Sequence, residues 1–164
     1  TATYTWAMLE TRLAVEEDAA LIASHRCAMF ATMGRAEQSV LDDVRRASEP
    51  WTARMMREGK YLGWITTDDG RPIASAGMLI LDWPPHPFDP TGERRAYLLN
   101  VFVDADYRRR GLARTLLELC LAEARRRDIR VVSLHASDEG RALYRSLGFH
   151  PSNEMMLADA KPKI

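Results

Sequence analysis

Three consecutive arginines followed by a glycine and an alanine, in Arg108-Arg109-Arg110-Gly111-Leu112-Ala113, form the stretch of this chain best suited to chemistry. Gly111 and Ala113 leave little side chain over the place where a helix would begin, and the first turn of a helix carries N–H groups without intrahelical partners. Such groups, with the positive end of the helix dipole behind them, can approach phosphate oxygens closely. The chemistry on offer is the binding of a pyrophosphate. The turn is not a P-loop, because no Lys-Ser or Lys-Thr follows Gly111, and it is not a dinucleotide fingerprint, because G-x-G-x-x-G is absent.

Regular elements must hold this turn in place. Tyr97 to Val103, a β-branched and aromatic run, predicts a strand ahead of it. Behind it Leu112, Leu116, Cys120 and Ala124 recur every fourth residue, with Ala113, Leu117 and Leu121 beside them, and predict a helix with a wide apolar face. Upstream, Tyr61 to Thr67 and Pro72 to Leu81 read as two strands joined by a tight Asp68-Asp69-Gly70-Arg71 hairpin. Met8 to Val15 reads as a first strand, and Leu21, Ile22, His25 and Met29 as one helix face. A second helical pattern through Val40, Leu41 and Val44 stops near Pro50, which is placed to open a further short helix bearing Trp51, Met55 and Met56. The run from Trp83 to Gly92 is too rich in proline for a sheet interior and reads as a loop.

Downstream, Val131 to Ser137 predicts another strand. Ser137 is placed to cap a helix whose first turn holds Asp138 and Glu139 and which Gly148 ends. Phe149 to Leu157 reads as a returning last strand. The opening TATYTW and the closing Lys161-Pro162-Lys163 carry no period.

Composition narrows the function classes. The chain has 164 residues, long enough for one domain with a real core, with 46% hydrophobic and 28% charged residues. Lys plus Arg and Asp plus Glu number 23 each, so no overall basic field favours nucleic acid. No apolar run reaches membrane-spanning length and no signal peptide is seen, which leads us to expect a cytoplasmic protein. Cys27 and Cys120 lack metal spacing, and Cys120 lies on the apolar row of the central helix, as core packing would place it.

Strand, turn and helix together resemble the signature of the GNAT acyltransferase superfamily, R/Q-x-x-G-x-G/A, matched by Arg108, Gly111 and Ala113. Ala142-Leu143-Tyr144-Arg145-Ser146-Leu147-Gly148-Phe149 resembles that family's LYxxxGF element, so the likeness covers about Gly63 to Phe149. It implies an α/β (α+β) fold, a mixed twisted sheet flanked by helices, in a single domain. It also implies an N-acetyltransferase that passes acetyl from acetyl-CoA directly to the amine of a small molecule or peptide, with no metal. Dimerisation is common in the family, so a homodimer stays open.

The resemblance also implies roles for residues. The pyrophosphate would sit on the N–H groups of Arg109, Arg110, Gly111, Leu112, Ala113 and Arg114, with Arg108 beside them. The pantetheine arm would lie along Val101, Phe102 and Val103, the Val101 N–H polarising the thioester carbonyl. Asn100 adjoins this point, and whether it marks the family's bulge is open. Tyr144 would protonate the departing thiolate. Ser137 stands where many relatives have an asparagine, and could bond to CoA or serve only as a cap.

Tyr97 stands where some members carry a glutamate base. His135, Glu93 or His86 would have to replace it, and a base is not indispensable where ordering two reactants contributes much of the rate. A covalent route through Cys27 or Cys120 lacks a paired histidine in the local sequence. The missing carboxylate supports a rival reading, a non-catalytic acyl-CoA-binding or regulatory module. Arg94 and Arg95 could draw an anionic acceptor, or equally solubilise a sheet edge.

Overall fold

The computed structural model describes residues 9–34 and 36–158. The unpatterned first residues, Met8 and the Lys161-Pro162-Lys163 tail lie outside them. Five strands form one sheet in the order β1-β2-β3-β4-β5, with β1 at Leu9–Leu13, β2 at Tyr61–Asp68, β3 at Arg71–Asp82, β4 at Arg94–Val103 and β5 at Val132–Leu134. Neighbours are antiparallel except β4 and β5, which run parallel, so the sheet is mixed. A parallel pair needs a long crossover, and the helix α3 (Leu112–Arg126) supplies it.

The four-residue spacing of α3 does what its pattern predicts. Leu116, Leu117, Cys120 and Ala124 bury against Trp64, Ala74, Ala76, Met78, Ala96 and Leu98 of the sheet. Cys120 is fully buried, a core residue as expected. The helix α1 (Ala19–Thr32) brings His25 to β3 and β4, where its Nδ1 lies 2.8 Å from the Ser75 hydroxyl and its ring stacks on Phe102 at 4.2 Å.

Pro50 does not start a new helix. The helix α2 runs unbroken from Gln38 to Arg57 with Pro50 inside it. A proline there forfeits one backbone hydrogen bond. What outweighs that loss is a contact face that continues past it: Leu41 and Thr52 are both buried, and Trp51 sets its edge on Tyr61 at 6.5 Å.

Several expected strands differ in extent, β1 ending at Leu13 and not at Val15. β4 begins at Arg94, before Tyr97, because Asp82 and Leu81 continue the β3 ladder to Arg94 and Arg95. Those arginines therefore pair with β3, and because the β4–β5 ladder starts only at Ala96 their other side has no strand among the described residues. Arg94 donates to the Arg127 carbonyl at 2.9 Å, and Arg95 lies 3.9 Å over the Trp83 ring. β5 is shorter than Val131 to Ser137, since it pairs with β4 only through Leu134. Phe149 to Leu157 forms no strand: the three-residue β5 offers a short edge, and Pro151 brings no N–H to a ladder. Met155 and Leu157 are 94% and 92% exposed there.

At the far end of α3, Glu123 receives Arg126 at 2.7 Å and Arg127 at 2.6 Å. The hydrogen bond from Arg126, followed by that from Arg127, pulls its carboxyl down to about 2. The folded value lies below the unfolded one, so this contribution is full above the unfolded pKa of about 4.3 and disappears as pH falls through the folded value. Glu123→Gln should therefore melt below the native chain at neutral pH, with the gap closing between about pH 5 and pH 2. Thermal unfolding across that range would show a constant gap if the ion pairs do not matter.

Candidate active site

A bulge in β4 generates the site. Ser75 pairs with Phe102 and Gly77 with Leu99, which leaves Asn100 and Val101 opposite Ala76 alone. Asn100 takes φ 56°, a left-handed value that asparagine tolerates better than most residues. It is held there by a buried network: its amide donates to the Tyr61 hydroxyl at 3.1 Å, and Arg26 of α1 donates to its carbonyl oxygen at 2.8 Å. Burial raises the Tyr61 phenol far above its usual range, keeping it protonated.

Just before this bulge β4 leaves its parallel neighbour. The β4–β5 ladder consists of Ala96–Val132, Tyr97–Ser133 and Leu98–Leu134, and it stops there. Val101, Phe102 and Val103 thus have no strand on their β5 side among the described residues. A bulge that ends pairing and re-aims a strand is the usual device beside a functional cleft.

The turn after β4 closes one end of this fork. Asp104 accepts from the Asp106 N–H at 3.3 Å and from Arg71 at 2.6 Å, fixing a short 3-10 turn at Ala105–Tyr107. Arg109 and Gly111 then adopt φ 60° and 81°, the alternation that gathers successive N–H groups into a concave nest. The first backbone hydrogen bond of α3 runs from Thr115 to the Gly111 carbonyl at 3.0 Å. The N–H groups of Arg109 to Arg114 ahead of it have no carbonyl partner among the described residues.

Three of the four arginines here have structural work. Arg108 Nε donates to the Val103 carbonyl at 3.2 Å, Arg110 to the Asp106 carbonyl at 2.9 Å, and Arg114 to the Ser146 hydroxyl at 2.6 Å. The backbone, more than the guanidinium groups, shapes this concave nest.

Arg114 reaches Ser146 on α4 (Arg141–Ser146), the helix that carries Tyr144. The Ser137 hydroxyl accepts from the Gly140 N–H at 3.2 Å, so Ser137 caps the turn that leads into this helix. Gly140 makes room for the tyrosine, since a Cβ there would stand 2.8 Å from the Tyr144 ring. At the other end, Phe149 and Gly148 donate to the Tyr144 and Arg145 carbonyls, both at 3.0 Å, the double closure of a Schellman motif. Tyr144 packs edge-on to Phe149 at 6.0 Å. Burial, followed by the nearby Tyr97, raises its phenol, which stays protonated across neutral pH.

Tyr97 is not merely a missing carboxylate. Its hydroxyl shares a hydrogen bond with His135 Nδ1 at the point where β4 and β5 part. The sequence names both residues but gives no sign of their pairing. Nor does it announce the Arg26–Asn100–Tyr61 network, for which a lone asparagine inside an apolar strand is the only signal. His86 lies in the proline-rich loop, its Nδ1 taken by the Phe88 N–H at 3.3 Å. Burial raises both thiols, that of Cys120 to about 12, away from the thiolate that a covalent route requires.

A model of the acetyltransferase (GNAT) family matches residues 11–149. The ribosomal protein bS18-alanine N-acetyltransferase of Escherichia coli is 32% identical over 115 residues, which cover 66% of this chain and 70% of that protein. A crystal structure of a GCN5-related N-acetyltransferase from Ralstonia eutropha is 34% identical with a TM-score of 0.87, covering 92% of this chain and 98% of that one. A predicted acetyltransferase from Clostridium acetobutylicum, crystallised with acetyl-CoA, is 25% identical with a TM-score of 0.82, covering 93% and 96%.

Proposed function

The chain belongs to the acetyltransferase (GNAT) family, and from that premise we propose that it moves an acetyl group from acetyl-CoA directly to the amine of a small molecule or peptide. The observation that carries this reading is the row of N–H groups from Arg109 to Arg114 that have no carbonyl partner among the described residues, continuous with the edge of β4 that is unpaired among them. A pyrophosphate with an amide-bearing arm is complementary to a nest followed by a free strand edge.

In this reading the pyrophosphate rests on the nest formed by Arg109, Arg110, Gly111, Leu112, Ala113 and Arg114, with Arg108 bracing it against Val103. The pantetheine amides pair with Val101, Phe102 and Val103. The Val101 N–H faces the thioester carbonyl and takes up the charge that develops on its oxygen. Tyr144 gives a proton to the leaving sulfur. Ser137 holds the turn that seats Tyr144, and its hydroxyl could bond to CoA as well. Transfer is direct, through a complex of both substrates, because neither thiol is activated. The same unpaired thiols suit the reducing cytoplasm, where we place the reaction.

Calorimetric titration with acetyl-CoA followed by a primary-amine panel, read by release of free thiol, tests this. The expected result is saturable binding and thiol release that rises with amine concentration. A folded chain that binds no acyl-CoA overturns the reading, and binding with amine-independent release converts it to an acyl-CoA-binding module.

A further inference from the structure

Arg95 is covered in a way that its neighbours do not account for. Its side chain is 14% exposed, with the guanidinium 3.9 Å over the Trp83 ring. Nε is buried with no hydrogen-bond partner. The carboxylate beside it, that of Glu154, stands off at 3.9 Å, beyond hydrogen-bond distance. A guanidinium carries five N–H donors in a planar fork and does not lose its charge. Held away from water, such a group is costly until an anion meets it. Stacking on an aromatic face offsets part of that cost and leaves the in-plane donors free.

Three segments build this seat. Arg95 pairs with Leu81 near the end of β3, and Trp83, just past β3, is fixed by its N–H, which donates to the Glu93 carbonyl at 2.9 Å. Glu154 arrives from the segment after α4, its N–H donating to the Ser152 hydroxyl at 3.3 Å and its side chain 60% exposed. Arg94, by contrast, is already engaged by the Arg127 carbonyl. Side chains two apart on a strand share a face, roughly 6–7 Å from one another, so Arg95 stands beside Tyr97. The charge of Glu154 is felt at Tyr97, and Tyr97 in turn is felt at Tyr144. Glu154, Arg95 and Trp83 thus continue the line that leads away from Tyr144, the side on which an acceptor would extend beyond its amine.

We propose that Arg95, stacked on Trp83, binds the acceptor, and that the acceptor is an amine carrying a carboxylate at the far end of a chain. The carboxylate takes the fork of Arg95, and the exposed Glu154 side chain gives way to it. A monoanion suits the place better than a phosphate dianion, because Glu154 already sets one negative charge beside the guanidinium. A chain must separate amine from carboxylate because Arg95 lies six residues before Val101 on β4. The thioester carbon sits at Val101 in the acetyltransferase reading above, on which this proposal rests.

The test follows thiol release from acetyl-CoA with ε-aminocaproate and with glycylglycine, each against its own primary amide, a pair of nearly equal size and similar amine basicity. For at least one pair the native chain should show kcat/KM about tenfold or more higher for the acid, carried mainly by KM, the scale of a hydrogen bond to a charged group. In Arg95→Gln this ratio of acid to amide should fall to within about threefold of equality. Glu154→Gln, which removes the competing charge at an exposed position, should raise it. The two shifts have opposite signs, which a shared loss of packing does not produce. Equal rates for acid and amide in the native chain overturn the proposal without recourse to a variant, as does a ratio that survives Arg95→Gln or falls in Glu154→Gln. A native chain that acetylates plain amines and shows no preference for the carboxylate defeats this anchor alone. Thiol release that no amine accelerates defeats the acetyltransferase reading, and the anchor with it.

Discussion

Gly111→Glu should reduce acetyl-CoA affinity by at least about a hundredfold in calorimetry and leave the chain folded. The two halves of this expectation have separate causes. Gly111 sits at φ 81°, so any side chain there meets a left-handed penalty of about 1–2 kcal/mol, a cost an intact domain can absorb. No atom lies within 4 Å of a Cβ built at that position, so no clash is added. The carboxylate, however, would stand over the N–H groups of Arg109 to Arg114 and compete for them with the pyrophosphate, whose charge it also repels. Gly111→Ala separates the effects, since it carries the backbone penalty without the charge, and should bind within about tenfold of native. Native-like affinity in the glutamate variant would remove the nest from the binding site.

Tyr144→Phe should lower kcat by about a hundredfold, the low end of the range for losing a general acid, with little change in acetyl-CoA affinity. The ring is already seated against Gly140 and Phe149, and phenylalanine keeps that seat. Loss of rate with binding retained therefore reports on the hydroxyl and not on packing. Because burial holds the phenol above its usual range, the protonated form persists through neutral pH. The alkaline fall in kcat it causes should lie above the ordinary phenol pKa of about 10, and be missing in the variant. Unchanged kcat would reduce Tyr144 to a packing residue.

The central strand, the turn and α3 were legible in the sequence because each is specified locally. Gly111 marks a left-handed position, and the four-residue row from Leu112 to Ala124 marks a buried face. The Asp69-Gly70 hairpin is of the same kind. What escaped is what distant segments decide together. Pro50 reads as a boundary, yet Trp51 on Tyr61 and buried Thr52 carry α2 through it. Phe149 to Leu157 ends in an apolar Met155-Met156-Leu157 run but carries Pro151 and finds no partner among the described residues. Tyr97 and His135 lie 38 positions apart, and only the parallel register of β4 with β5 makes them neighbours. Arg95 reads as a surface charge, and only the folded chain seats it over the Trp83 ring.

The fork between β4 and β5 has a kinetic corollary. In the proposed reading its free strand edge and the nest would hold the pantetheine arm and the pyrophosphate, the two parts of the donor that survive the reaction unchanged. In that reading only the Val101 N–H would meet the atoms that differ between acetyl-CoA and CoA. Whatever holds the donor therefore holds the spent carrier almost as tightly, and binding of that uniform kind does nothing for the chemical step. Turnover in such a design would be paced by the ratio of acetylated to free carrier, so a transferase built this way would answer to the acetyl supply of its surroundings as well as to its amine.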